Sequence, residues 1–238
     1  MFLNIPLRKC LGAAIRHLIV IWQAVLYHVG SPAPGGSACG IFGYTEAMSC
    51  DAAPTIHTIG HSTRSIEVFL ALLNRHRIEL LIDVRRWPTS TRFPHFGRER
   101  LSASLAAEEI DYLWREDLGG YRKPSPDSPN TGWRVGAFRA YADFMMTPAF
   151  DQIMAELERL ADTKRIAVMC AEAVPWRCHR QLIADAFLVR GRQARHILED
   201  RCEEHRLTPF ARPSGTQIMY PMEGTRQDPD LPTSTFIR

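Results

Sequence analysis

From Thr55 onward the chain alternates between two patterns of hydrophobic positions. Short, nearly continuous apolar runs are typical of strands buried on both faces of a sheet. Such runs are residues 55–60, 79–84, 110–114, 166–170 and 194–198. Between them, apolar residues recur at helical spacing over 65–75, 98–108, 136–146, 148–161 and 178–190. The second-to-last of these helices has Thr147 and Pro148 as its N-cap and first residue. This order predicts an α/β fold with a mainly parallel sheet flanked by helices, three-layer and Rossmann-like, in a single domain.

The two ends of the chain differ from its middle. An apolar run at 18–27 is interrupted by Gln23 and spans about 10 residues, whereas a membrane-crossing helix needs roughly 20. A Pro-, Gly- and Ser-rich segment typical of a linker follows it. We expect residues 1–54 to lie outside the core, either disordered or upstream of a true start at Met48; a secretory signal is the alternative. The α/β domain is expected over 55–212, and 213–238 are expected to form a loose tail.

Composition narrows the class of protein. The net charge of +3 and the sequence pI of about 8.6 are modest for a dedicated nucleic-acid binder. The six cysteines show no regular spacing of a disulfide framework, so we interpret them as thiols in a reducing compartment. These observations favour a cytoplasmic protein that does not enter the membrane.

Chemically active side chains are concentrated around the strand that ends at Cys170. The loop and helix start that follow carry Glu172, Arg177, Cys178, His179 and Arg180. Two other predicted strands end in polar residues, His61 and Asp83. Because the carboxyl ends of parallel strands meet at one edge of a sheet, we expect these residues to form one ligand site.

Five motifs in this order resemble the family catalogued as domain of unknown function 488. They are Thr58-Ile-Gly-His-Ser62, Leu81-Ile-Asp-Val-Arg85 with Pro88 and Ser90, Leu118-Gly-Gly120, Met169-Cys-Ala-Glu172 and Cys178-His-Arg180, and His196 and His205 also fit. The resemblance covers about 55–212 and implies no established activity, but it selects candidate site residues. The catalytic candidates are Cys170, His61, Asp83 and His179. The substrate-binding candidates are Ser62, Arg85, Ser90, Gly119, Gly120, Glu172, Arg177 and Arg180.

Three hypotheses account for these residues. In the first, Cys170 is a nucleophile whose pKa is lowered by a helix amino terminus and by Arg177 or Arg180, with His179 or His61 as acid or base. In the second, the ligands Cys170, Cys178 and His179, with His61 or Asp83, bind zinc or iron. Neighbouring Cys178 and His179 on one helix would, however, point about 100° apart.

The third hypothesis is a noncatalytic module for nucleic acid. Arginines would contact phosphate while aromatic rings stack on bases. The arginines are Arg85, Arg86, Arg92, Arg177 and Arg180, and the aromatic residues are Trp87, Phe93, Phe96 and Trp176.

The sequence favours an enzyme acting on a small or nucleotide-like anionic substrate, a cysteine- or metal-dependent hydrolase or transferase. It assigns no metal ligands, no cofactor and no oligomeric state. It also predicts that Glu172 forms a salt bridge with Arg180 or Arg85 inside the pocket, and that Asp83 orients an arginine in the same way.

Overall fold

The computed structural model describes residues 55–199 and 201–222, and they contain a six-stranded sheet and a two-stranded hairpin. The strands are β1 (Thr55–Gly60), β2 (Leu80–Asp83), β3 (Asp111–Trp114), β4 (Ile166–Cys170), β5 (Gln193–Ile197), β6 (Cys202–Glu204), β7 (Arg212–Ser214) and β8 (Gln217–Met219). The helices are α1 (Ile66–Arg75), α2 (Arg98–Ala107), α3 (Gly136–Met145), α4 (Pro148–Thr163) and α5 (Arg180–Val189). The interpretations of residues 1–54, including the start at Met48, and of 223–238 lie outside the described residues.

The large sheet has the strand order β3-β2-β4-β1-β5-β6, in which only β6 is antiparallel to its neighbour. Side chains alternate between its two faces, so Val168 of β4 packs in one core and Met169 in the other. One core contains Tyr141, Phe150 and Phe187 from α3, α4 and α5. The other contains residues of α1 and α2. The predicted three-layer α/β fold with a mainly parallel sheet is therefore confirmed.

Local sequence signals explain how two of the helices begin. The side chain of Ser65 accepts a hydrogen bond from the Val68 amide at the start of α1. Thr147 likewise caps α4 by accepting from the Phe150 amide, and Pro148 is the first helical residue. The predicted cap and first residue of α4 are thus both confirmed. Among the described residues, no helix combines the length and apolar character needed to span a membrane.

The end of the domain differs from the prediction. Residues 202–204, for which the sequence predicts no strand, form β6, which pairs with β5. Residues 213–222, expected to belong to a loose tail, contain most of the β7–β8 hairpin and bury Ile218 and Tyr220 in the core. These strands have three residues each, too few for a clear alternation of polar and apolar positions. The burial of Ile218 and Tyr220 depends on partners elsewhere in the chain.

Candidate active site

A cavity of about 900 Å³ opens where β1, β2 and β4 end. These strands are neighbours in the sheet, and the His61 amide donates to the Cys170 carbonyl while the Val84 amide donates to the Met169 carbonyl. The expected meeting of His61, Asp83 and Cys170 at one edge is observed. The cavity is lined by residues 61–63, 85–87, 89, 90, 93, 120–122, 135, 137, 138, 170–173 and 177–179.

Arg85 is the most firmly held cation of the cavity. Its guanidinium Nε lies 2.9 and 3.1 Å from the two oxygens of Asp83, and its Nη2 lies 2.5 Å from Oδ2. Tyr112 donates a further hydrogen bond to Asp83, and Trp114 donates to the Arg85 carbonyl. Because Asp83 is fully buried, this geometry fixes the orientation of the guanidinium. The predicted role of Asp83 in orienting an arginine agrees with this arrangement.

His61 lies between Arg85 and the stacked ring of Phe96. Its Nδ1 is 2.9 Å from the Ser62 carbonyl, so Nδ1 carries the proton and Nε2 accepts from Arg85 at 3.3 Å. Burial, together with the charge of Arg85, lowers the pKa of His61 to about 4. The ring is therefore neutral near pH 7, with both nitrogens engaged.

The two thiols at the inner wall of the cavity are both buried and differ in their affinity for protons. Hydrogen bonding with Cys178 raises the pKa of Cys170 well above the usual value, and burial acts in the same direction. The same hydrogen bond, with help from His179 and Arg180, lowers the pKa of Cys178 well below it. Within this hydrogen-bonded pair, Cys178 is the thiol that loses its proton more readily.

His179 completes this group. Its Nε2 lies 3.3 Å from the Val84 carbonyl, which assigns the proton to Nε2, and its Nδ1 lies 3.6 Å from the Cys178 sulfur. One ligand atom each of Cys170, Cys178 and His179 lies within 4.8 Å of the other two. The expectation that Cys178 and His179 diverge on one helix is wrong, because α5 begins only at Arg180 and Cys178 has an extended backbone.

The predicted salt bridge of Glu172 is also wrong. Glu172 is exposed at the cavity wall, and no ion pair to its carboxylate occurs among the described residues. Arg180 instead donates to the main-chain carbonyl of Glu172. That guanidinium is buried below the loop and does not line the cavity. Arg180 therefore supports the loop that follows β4. Of the two arginines predicted to pair with Glu172, Arg85 is the one that lines the cavity.

The remaining predicted residues divide into those at the cavity and those behind it. Ser62, Ser90, Gly120 and Arg177 line the cavity, whereas Gly119 does not. Ser90 also accepts from the Phe93 amide, which orders its loop. A methyl group on Gly119 would come within 2.9 Å of the Arg86 backbone, so this glycine allows two loops to pack closely. Gly119 thus shapes the loop that positions the cavity wall.

Sequence reasoning missed an aromatic pair at the mouth of the cavity. The exposed rings of Trp87 and Tyr121 have centroids 4.7 Å apart. Tyr121 follows directly after Gly120, but no local pattern indicates that it faces Trp87. Four of the arginines and aromatics considered for nucleic acid do not line the cavity: Arg92, Arg180, Phe96 and Trp176.

Comparison with known proteins identifies one match. The family model described as Domain of unknown function DUF488 matches residues 65–187. The matched region begins after His61 and includes Asp83, Arg85 and the Cys170–Arg180 segment. Neither a curated protein nor a solved structure matches the chain.

Proposed function

The chain belongs to the DUF488 family, and from the geometry of its cavity we propose that the protein is an enzyme acting on a small, anionic, nucleotide-like substrate. One observation carries the proposal: a single cavity combines four arginines, an exposed aromatic pair and two buried thiols beside a half-buried imidazole. Charged, aromatic and thiol side chains that converge on one cavity are typical of a ligand-binding or active site.

The charge of the cavity favours an anion. Four arginines line it against one carboxylate, that of Glu172. Arg85 is oriented by Asp83, and Arg177 is exposed and forms no ion pair with any described residue. A phosphate or carboxylate can therefore be held between a rigid guanidinium and an adaptable one.

The mouth of the cavity favours a flat ring. Trp87 and Tyr121 keep more than half of their surfaces exposed, at 60% and 77%. Aromatic rings at this degree of exposure offer faces on which a nucleobase can stack. The cavity volume of about 900 Å³ is in the range of sites for small molecules and cofactors.

The reactive groups of the proposed enzyme are Cys170, Cys178 and His179, which line the same cavity as the aromatic pair. Neutral His61 sits beside Arg85, where its Nε2 can exchange its weak hydrogen bond for one to substrate. These groups suit hydrolysis or group transfer. The cysteines that the structure describes are free thiols, which supports the expected cytoplasmic location.

Nucleotide binding is the first test. Purified protein is titrated with adenosine and uridine 5′-monophosphates, with adenosine as the uncharged control, by equilibrium dialysis. We expect saturable binding of a nucleotide that weakens by about tenfold in Trp87→Ala, because base stacking contributes about 1–3 kcal/mol. Trp176→Ala is the matched control, since Trp176 is similarly exposed but lies outside the cavity lining.

Turnover is the second test. The protein is incubated with nucleoside mono-, di- and triphosphates, and products are separated by chromatography and identified by mass. We expect a product with the unaltered protein and with Cys202→Ser, and none with Cys178→Ser. The other outcome is binding of nucleic-acid polymers without turnover, with an affinity that depends on polymer length and falls steeply with salt. That outcome would replace the proposal by the nucleic-acid module. No saturable binding of either monophosphate at about 1 mM would overturn its nucleotide part.

A further inference from the structure

We propose that Cys170, Cys178 and His179 bind one zinc-class divalent cation, with the Cys170 and Cys178 sulfurs and the His179 Nδ1 as ligands. The three ligand atoms already lie within 4.8 Å of one another. Two soft sulfurs and an imidazole nitrogen select zinc over magnesium or calcium, which prefer oxygen. The inference extends the proposed function but does not depend on it.

The measured separation within the group fits a tetrahedral ion. Zinc–sulfur and zinc–nitrogen bonds of about 2.3 and 2.0–2.1 Å at the tetrahedral angle place sulfur and nitrogen about 3.6 Å apart. The Cys178 sulfur and the His179 Nδ1 are 3.6 Å apart. The separation of these two ligand atoms is therefore the one that a shared tetrahedral zinc ion requires.

The ring of His179 is oriented as in established metal sites. Metal-binding histidines usually donate their second ring N–H to a carbonyl or carboxylate, which leaves the other nitrogen free to bind. Here Nε2 donates to the Val84 carbonyl, so the Nδ1 lone pair faces Cys178. A side chain on Gly120 would place its Cβ 2.9 Å from Nδ1, and the glycine keeps this position open.

The backbone presents the ligands from two rigid segments. Cys170 ends β4, which is hydrogen-bonded on both sides in the sheet. The Cys178 amide donates to the Pro175 carbonyl, and its carbonyl accepts from Gln181 at the start of α5. Preorganised ligands lose little conformational entropy when they bind an ion.

Three protein ligands leave one tetrahedral position open. No fourth cysteine, histidine or carboxylate of the described chain joins the group. All three ligand residues line the cavity, so the open position faces the space assigned to substrate. Three ligands and an open position are typical of catalytic rather than structural zinc. A bound ion would supply Lewis-acid polarisation of the substrate or an activated water.

A second trio, His57, His76 and Cys202, has ligand atoms equally close together. It has only one thiol and is surrounded by cations. Burial and the positive charges of Arg165 and Arg195 lower the pKa of His57 to about 4, and the same field disfavours a metal cation. Cys202 is therefore a suitable control cysteine.

The experiment is metal analysis of the untagged full-length protein. The protein is incubated with zinc chloride, passed through a desalting column and analysed by mass spectrometry of the elements. We expect about one zinc per chain, and Cys178→Ser and Cys170→Ser each to weaken zinc affinity by more than about tenfold. Cys202→Ser is expected to retain zinc fully. Gly120→Ala, which crowds Nδ1 without removing a ligand, is expected to weaken zinc binding less.

Cobalt substitution keeps the proposal testable if a cysteine variant does not fold. The unaltered protein is titrated with cobalt chloride and its absorption spectrum is recorded. Tetrahedral coordination by two thiolates predicts a sulfur-to-cobalt charge-transfer band and intense d–d bands that saturate at about one equivalent. The absence of these bands together with zinc content below about a tenth of an equivalent overturns the site. Zinc lost in Cys202→Ser but kept in Cys178→Ser also overturns it. Nucleotide binding is assayed separately, so either proposal can fail alone.

Discussion

Two carboxylates of this protein, Asp83 and Asp185, are both fully buried and serve different purposes. Asp83, at the end of β2, accepts from Arg85 and Tyr112, and Arg85 lines the cavity. Asp185, in the middle of α5, has no partner that lines the cavity. Each is saturated with hydrogen bonds, as a buried charge must be. Burial of the carboxylate does not distinguish the candidate site from the interior network, because both carboxylates are fully buried. What distinguishes them is that Arg85, the partner of Asp83, lines the cavity.

The Asp185 network joins distant parts of the chain. Its carboxylate accepts from the His205 Nε2, from the backbone and hydroxyl of Thr208, and from the Tyr220 hydroxyl. His205 Nδ1 in turn lies 2.9 Å from the His196 Nε2, whose Nδ1 is 2.7 Å from the Thr58 hydroxyl. This series of hydrogen bonds fixes the segment beyond β5 and the β7–β8 hairpin against α5. A buried Asp–His pair can therefore stabilise the fold without taking part in the candidate site.

The largest effect is expected from Asp185→Ala. Removing the carboxylate leaves buried donors of His205, Thr208 and Tyr220 without an acceptor, which costs about 3–5 kcal/mol of unfolding free energy. Urea denaturation followed by circular dichroism measures this loss. Asp162→Ala is the control, because Asp162 pairs with Arg192 at the surface and is expected to cost no more than about 1 kcal/mol. Equal losses in the two variants would contradict an essential role of the network in the fold.

Asp83→Ala is expected to cost less stability but to impair the site. Arg85 loses its buried partner, yet its position at the cavity allows water to reach the guanidinium, so we expect a loss of about 2 kcal/mol. Nucleotide affinity should fall by about tenfold because Arg85 is no longer oriented. Denaturation and equilibrium dialysis on the same sample measure both. The comparison between the carboxylates fails if Asp185→Ala, assayed while folded, weakens nucleotide binding as much.

The pH dependence of stability sharpens the comparison at His196. Burial, with the neighbouring His205 and the positive charge of Arg180, lowers the pKa of His196 to about 3. The Asp185 carboxylate is also near, through His205. Since an unfolded histidine titrates near pH 6.5, the unfolded state takes up the proton first as pH falls. The stability contributed by neutral His196 is complete above pH 6.5 and is lost progressively toward pH 3.

His196→Gln should therefore flatten this dependence. We expect the slope of unfolding free energy between pH 6.5 and 5 to decrease by up to about 1 kcal/mol per pH unit. Urea denaturation at several pH values gives the slope, independently of any constant loss of stability in the variant. An unchanged slope would mean that His196 titrates normally in the folded protein.

The smallest effect is expected from Glu172→Gln. Glu172 is exposed and forms no ion pair with a described residue, so stability should change by no more than about 0.5 kcal/mol. Because its carboxylate lines the cavity, its removal should tighten binding of adenosine 5′-monophosphate by about twofold at low salt. Glu67→Gln, which changes another exposed carboxylate outside the cavity lining, is the control for binding and should not alter nucleotide affinity. A loss of stability above about 1 kcal/mol in Glu172→Gln would reinstate the predicted buried salt bridge.

Much of the site could be located from the sequence because strand ends are local features. Polar residues directly after apolar runs identified His61, Asp83 and Cys170, and a parallel sheet brings such ends together. The direction of a side chain in a loop follows no sequence period. For this reason the predicted salt bridge of Glu172 and the predicted divergence of Cys178 and His179 are both wrong. Trp87 and Tyr121 come from loops after different strands, so their contact has no local signal either.

By itself, the sequence determined the order of the five parallel strands and five helices, the three-layer class and the edge of the sheet where the cavity lies, because burial of a face imposes a period on neighbouring residues. Only the tertiary structure decided which polar groups meet. The bonds from Asp185 to His205 and Tyr220, and the grouping of Cys170 with Cys178 and His179, join segments whose separation depends on the packing of the whole domain. Hydrogen bonds and metal ligands require particular distances and directions, and only the folded chain supplies those.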